Sequence, residues 1–318
     1  MEALRGTRPV VAKGFSQQFG SNYEETFAPV AWYGSFKILL AIVVQMGWKP
    51  QQMDMKTAFI YGTLKEEIYM RLSEGYRMQG KVAQLYKCIY RLKWSARKWY
   101  ECLSTLLQQI GFLSSEFDPC VFIHIADSTF ILTYVDDLGI FDPNNSPFIK
   151  KVEDKLSTRF KCKGLGDAHY ILGLEITYTP ASIDISKTAY IHKFLMQYGM
   201  SASQPIATPL DLNQLLWRVE PGTDIVDISE YQSIIGSLMY AVSWTRPDLA
   251  FTVTLISQFS SAPNEEHMQY AKRVLQYLSG PVNWSLHYPR SPTMPFRLTY
   301  YADTLYANSL NDCKSSSV

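Results

Sequence analysis

With 318 residues and 47% hydrophobic content the chain can bury a substantial core, and its length suits two or three domains. Thirty Lys and Arg against 29 Asp and Glu leave a formal net charge of +1, so no global field draws the protein toward nucleic acid and any such surface has to be local. Five scattered cysteines without CxxC or Cys/His spacing argue for reduced thiols over a zinc site, and no apolar run is long enough for a leader or a bilayer span. The expectation is a soluble, non-secreted, intracellular protein with no membrane partner, cytoplasmic, with a particle-associated or nuclear location as the alternatives.

In chain order, Ser35 followed by FKILLAIVVQM and Gly47 describes a buried helix with a cap and a stop. After Pro50, QQMDMKTAFIYG predicts a strand ending near Asp54 and then a turn. The stretch 82–92 is ambiguous. Ala96, Trp99, Leu103, Leu106 and Ile110 recur at three-to-four spacing before Gly111, an amphipathic helix. Residues 130–135 and 138–141 are two β-prone runs forming a tight hairpin with Asp136 and Asp137 at its tip. Ser146 and Pro147 are placed as cap and first residue of a helix carrying Val152, Leu156 and Phe160. Residues 170–178 read as one strand. From Ser186 the pattern turns mostly helical, over Tyr190, Phe194 and Tyr198, then 231–244, then 263–278. The polar segment 201–223 is the linker candidate, and FRLTYYAD near the end is again strand-like.

An Asp-Asp pair in a turn is by itself more often structural, because Asp bonds nearby backbone. A functional reading needs a third carboxylate, and Asp54 supplies one if its strand neighbours the hairpin. Carboxylates ~4 Å apart repel by about 4 kcal/mol per pair at an effective dielectric near 20. A hard divalent cation relieves that repulsion, and two of them ~3.5 to 4 Å apart suit in-line phosphoryl transfer.

QMDMKTAF at 52–59 and YVDD at 134–137 resemble the first and third catalytic motifs of reverse transcriptases, in the form found in copia-type retrotransposon polyproteins. Further phrases of that family follow in order: VAKGFSQ at Val11, YEETFAPV at Tyr23, EEIYMRL at Glu66, LGLEI at Leu172, GSLMY at Gly236, TRPDLAF at Thr245 and KSSS at Lys314. The resemblance implies an α/β (α+β) right-hand polymerase. Fingers and palm with an antiparallel sheet would occupy 1–185, a helical thumb 186–290, and the start of a ribonuclease H-like domain 291–318. It implies Asp54, Asp136 and Asp137 as catalytic residues and ligands of two Mg²⁺ (or Mn²⁺) ions bound with substrate. It places the backbone at Met55, Lys56 and Thr57 toward the triphosphate, Phe59 against the ribose 2′-position and Lys13 near the incoming phosphates. Phe59 reads equally as a core aromatic, Lys13 as a solvated lysine, and LGLEI as either a primer-terminus element or a core strand. The implied partners are an RNA template, a DNA primer and a deoxynucleoside triphosphate.

Between 81 and 98 six basic residues, Lys81, Lys87, Arg91, Lys93, Arg97 and Lys98, occur without an acidic one and interleave with Tyr86, Tyr90 and Trp94. Cations for phosphate and aromatic faces for stacking suit a template-primer groove, and a solvated face is the plain alternative. Here the chain departs from the family it resembles. The second motif, approximately YGLKQAPRAW there, is YRLKWSARKW at 90–99. Arg91 replaces a glycine, which matters if the site needs a positive φ, and Trp94 replaces an amide expected against the nucleotide. Poor nucleotide binding is expected, and a non-catalytic remnant that at most binds nucleic acid is the rival function. The ribonuclease H phrase keeps one aspartate, Asp303, as a lone candidate ligand, so no nuclease activity is expected.

Overall fold

A computed structural model describes residues 11–20, 23–72, 78–143, 146–211, 226–291, 304–305 and 316–317. The chain forms two compact units, 1–172 and 173–318, dividing earlier than the boundary expected between 185 and 186.

The first unit begins with an extended segment and helix α1 (Tyr33–Met46), which starts from an extended Trp32 instead of the expected Ser35 cap. It ends at Gly47, whose left-handed φ of 70° returns its N–H to the Val43 and Val44 carbonyls. Strand β1 (Gln51–Met55) leads through a single 3₁₀ turn (Ala58–Tyr61) into the hairpin β2 (Thr63–Arg71) and β3 (Val82–Lys87), so the first half of the ambiguous stretch 82–92 is strand and the rest is not. Helix α2 (Ser95–Ile110) follows, then β4 (Leu113–Ser114), β5 (Val121–His124), β6 (Thr129–Tyr134) and β7 (Asp137–Phe141). Helix α3 (Pro147–Arg159) starts as expected, with Pro147 in the first turn and the Ser146 hydroxyl accepting from the Phe148 amide. Strands β8 (Cys162–Asp167) and β9 (Tyr170–Ile171) close the unit.

Six strands make one antiparallel sheet in the order β4-β5-β6-β7-β1-β8. Alternation on β1 decides its two faces: Met53 and Met55 are buried, whereas Gln52 and Asp54 project the other way. Leu138 and Ile140 of β7 share the buried face, and Trp99, Leu103 and Leu107 of α2 with Ile149, Val152 and Leu156 of α3 cover it. Each such side chain contributes about 1.5–3 kcal/mol by leaving water, so these helices fix one side of the sheet; on the opposite face Phe141 packs against Phe36 of α1, and the end that carries Asp54 and Asp137 stays half-exposed.

Between β7 and α3, Asp142 is fully buried, and neither carboxylate oxygen has a hydrogen-bond partner of ordinary geometry among the described residues. Burial pushes its carboxyl up to about 6, and the Ser146 amide opposes the shift. With the folded value above the ordinary one, the neutral form is favoured by folding, so this stabilisation is complete below about pH 4 and lost as pH rises through 6. Asp142→Asn is therefore expected to raise unfolding free energy on the order of 2 kcal/mol at pH 7.5 and to give no gain at pH 4. Urea melts at the two pH values check this, and an equal effect at both would rule out buried ionisation as the cause.

The second unit carries an antiparallel sheet of β10 (Leu174–Thr179), β11 (Ser182–Ser186) and β12 (Leu286–Pro289). Its helices are α4 (Thr188–Gln197), α5 (Ile228–Trp244), α6 (Ala250–Ser257) and α7 (Glu265–Ser279). Their core includes Phe194, Tyr231, Leu238, Ile256, Val274 and Leu278. Helix α6 had no sequence expectation; it is apolar almost throughout, which hides its periodicity. The single strand expected over 170–178 is interrupted, since Leu172 (φ 55°) and Gly173 (φ 72°) both adopt left-handed backbone. Buried Lys187 donates to the Gly173 carbonyl at 3.0 Å and rests 3.9 Å from the Tyr240 ring centre; burial pushes its ammonium down to about 8. Short strands β13 (Thr304–Leu305) and β14 (Ser316–Ser317) pair with each other. The strand expected in FRLTYYAD, Asp303, and the later half of the linker candidate lie outside the described residues.

Candidate active site

The tip of the β6–β7 hairpin consists of Val135 and Asp136, because Tyr134 pairs with Asp137 across it. Asp137 is thus the first residue of β7, one place beyond the expected tip. Its partner on the other side is Asp54 of β1, and the partner of Asp54 is Lys163 of β8. Tyr134, Asp137, Asp54 and Lys163 therefore form one row across four strands and project from the same face. Asp136 adjoins the row, held by its carbonyl, which accepts from the Met55 amide at 2.9 Å. Like charges directly opposite destabilise a sheet, so the Asp54–Asp137 pair opposes the packing that creates it.

Partial burial is the main cause holding the Asp137 carboxyl above the ordinary range, with repulsion from Asp136 and Asp54 adding to it. The Gln52 side chain, two residues before Asp54 on the same face, opposes the shift by donating to Asp137 at 3.3 Å. Lys163 was not singled out from sequence, and no local signal marks it; only the β1–β8 register reveals it. Among the described residues no three acidic, histidine or cysteine side chains stand as a ready ligand set, so Asp54 and Asp137 share a face without closing a cage.

The Phe59 ring meets Tyr90 edge to face, 4.6 Å between centres. The Tyr90 hydroxyl is held above its usual range chiefly by burial and then by the charges of Asp136 and Asp54, which puts this aromatic pair beside the acidic row. The Ala12 amide donates to the Tyr90 carbonyl at 2.9 Å, bringing exposed Lys13 to the same neighbourhood. Of the expected triphosphate backbone, the Met55 amide is taken by Asp136 and the Lys56 amide by the Lys161 carbonyl at 2.8 Å. Met55 also points into the core, leaving the exposed side chains of Lys56 and Thr57 at this edge.

Residues 4–212 match the family described as reverse transcriptase (RNA-dependent DNA polymerase). This chain belongs to the reverse transcriptase family. It is 35% identical over 312 residues to the retrovirus-related Pol polyprotein from transposon RE1 of Arabidopsis thaliana, covering 96% of this chain and 21% of that protein. It is 34% identical over 320 residues to the corresponding polyprotein from transposon TNT 1-94 of Nicotiana tabacum, covering 96% and 24%. The transposon Ty1-GR1 Gag-Pol polyprotein of Saccharomyces cerevisiae is 28% identical over 290 residues, covering 85% and 16%. The chain thus spans about a fifth to a quarter of the Arabidopsis and Nicotiana polyproteins, which are of the copia type. Reverse transcriptases act on nucleotides and a nucleic-acid template and generally use divalent metal ions; no helix among the described residues is long and apolar enough to cross a membrane.

Within this family member the second motif shows how the departures are accommodated. Arg91 does adopt φ 71°, the left-handed backbone that a glycine takes freely. Arg91→Gly is expected to stabilise the fold by about 1 kcal/mol, the usual penalty of that conformation for a side chain less the entropy of a freer unfolded chain. Thermal melts check it, and a destabilised variant would show the strain to be compensated elsewhere. Trp94 does not face an open pocket: it is buried with Ala12, Leu64, Ile68, Cys88 and Leu92. The basic segment divides as well. Arg97 bonds Glu25 at 2.8 Å and Glu101 at 3.0 Å, and Lys98 bonds Glu101 at 3.3 Å. Lys81, Lys87, Arg91 and Lys93 are exposed, with the Lys93 ammonium 5.8 Å from the Tyr23 ring centre.

Proposed function

We propose that this chain is an RNA-directed DNA polymerase of a retrotransposon polyprotein, joining a deoxynucleoside triphosphate to a primer 3′-hydroxyl. The row that sets Asp54 opposite Asp137, with Asp136 beside it, carries the reading. Two hard carboxylate donors on one face with a third in the adjoining turn, one of them raised partly by its neighbours' charge, fit a divalent cation by donor chemistry. Asp54, Asp136 and Asp137 would hold Mg²⁺ or Mn²⁺, two ions with substrate, which when bound activate the hydroxyl and neutralise the triphosphate. Phe59 buttressed by Tyr90 excludes a ribose 2′-hydroxyl by bulk. Lys13, Lys56 and Lys163 place positive charge where the triphosphate lies, and Thr57 shapes the edge between them. Lys81, Lys87, Arg91 and Lys93 offer phosphate contacts to template and primer, whereas Arg97 and Lys98 serve the fold through their ion pairs. The first unit takes the part of fingers and palm and the helices of the second that of the thumb.

The test is extension of a DNA primer on an RNA template with Mg²⁺ or Mn²⁺, with Asp136→Asn/Asp137→Asn as control. Incorporation by the wild type alone supports the reading, and incorporation equal to the control sinks it. The left-handed Arg91 favours a second reading, a non-catalytic remnant that binds nucleic acid through its basic residues. Retention of RNA–DNA duplex without extension, weakened by salt and by Lys87→Ala/Lys93→Ala, would select it.

A further inference from the structure

We infer that Trp99 is a positioning residue for the acidic turn, its indole N–H latching Val135 so that Asp136 and Asp137 stay where the hairpin presents them. The catalytic consequence rests on the polymerase reading; the latch itself does not. Val135 has φ 55°, a left-handed backbone that a β-branched residue adopts only when its surroundings impose it. Two-residue hairpin connections with positive φ at this position ordinarily use glycine. Something outside the hairpin therefore holds the turn.

Two bonds do so, one from each side. The Trp99 indole N–H, projecting from α2, donates to the Val135 carbonyl, and the Met55 amide of β1 donates to the Asp136 carbonyl at 2.9 Å. The indole is itself fixed, being 2% exposed and packed edge to face against Phe160 with 5.0 Å between ring centres. Tyr61 flanks it at 6.1 Å, and the Tyr61 hydroxyl accepts from the Lys161 amide at 2.6 Å, tying the aromatic group to the start of β8. Packing alone does not close the position. A cavity of about 40 Å³ lies beside the latch, lined by Pro29, Ala96, Trp99, Thr133 and Val135 among others, so the turn has room to relax once the bond is lost. The indole bond thus supplies what contact with neighbours does not.

Trp99→Phe keeps an aromatic ring against Phe160 and removes only the donor. Hydrogen exchange of the full chain, followed by mass spectrometry, reads the result directly. The peptides containing Met55 and residues 134–138 are expected to exchange ~10-fold faster, with the C-terminal half of α2 unchanged. Unchanged protection at Met55 and the turn overturns the latch. Should phenylalanine disturb α2, β-(3-benzothienyl)alanine at position 99, which has the outline of indole without its N–H, gives the same comparison. In primer extension the latch predicts a single-turnover rate per titrated active site lowered ~10-fold with the KM for nucleotide within about twofold of wild type, whereas general unfolding lowers the number of active sites and leaves the rate per site unchanged. Inactivity of the wild type combined with latch-dependent protection removes the polymerase reading and leaves the latch standing.

Discussion

Asp137→Asn is expected to lower primer extension on the order of 10³-fold while leaving the protein folded and more resistant to heat in metal-free buffer at pH 7.5. Both effects come from one arrangement. Asp137 lies directly across from Asp54, with Asp136 adjacent, and its carboxyl is partly withdrawn from water. Ionising it there costs free energy, and asparagine keeps the size and the contact with Gln52 while removing the charge. The catalytic loss follows because a neutral amide is a poor ligand for a hard dication and leaves part of the developing phosphate charge uncompensated. Parallel melts and primer extension check the pair of outcomes. A variant both inactive and less stable would mean that the aspartate is a structural member of the hairpin; a variant both active and more stable would remove it from the proposed site. An activity–stability opposition of this kind is what a functional cluster imposed on a sheet should show.

Gly14→Ala is expected to be the most damaging small substitution in the first unit, lowering stability by about 3 kcal/mol and weakening the proposed nucleotide binding together. A Cβ built at Gly14 would lie 1.8 Å from the carbonyl oxygen of Arg91, and since both groups are backbone no rotamer change relieves the overlap. One segment has to move. Its anchors are the Ala12 amide on the Tyr90 carbonyl and the Lys93 amide on the Gln17 side chain, both of which would stretch. Displacing this segment carries Lys13 away from the Phe59–Tyr90 pair, which is why stability and nucleotide affinity should fall together. Urea melts and nucleotide titration of the folded variant decide it. A stable Gly14→Ala protein would mean that the segment shifts freely and is no fixed part of the pocket.

Much of the local structure was legible in the residues. The apolar run before Gly47, the three-to-four spacing from Ala96 to Ile110, the paired β-prone runs around Asp136 and the Ser146-Pro147 start each encode an element through periodicity or capping alone. The interruption at Leu172–Gly173 was not legible, since leucine carries no turn signal and its left-handed φ is imposed by the surrounding fold. Arg91 shows the intermediate case: comparison with the family's glycine raised the question of a positive φ, and the backbone answered it.

The sequence by itself determined the helices before Gly47 and Gly111 and after Ser146, and that acidic side chains stand at the end of one strand and near the turn of a hairpin, because those properties depend on neighbours within a few positions. Only the tertiary structure decided that β1 lies between β7 and β8, and so that Asp54 faces Asp137 and Lys163 joins the row. Strand order and register are set by which apolar faces bury together, here Met53, Met55, Leu138 and Ile140 beneath α2 and α3. The same helix packing carries the Trp99 indole to Val135, a contact between residues far apart in the chain that no local pattern contains.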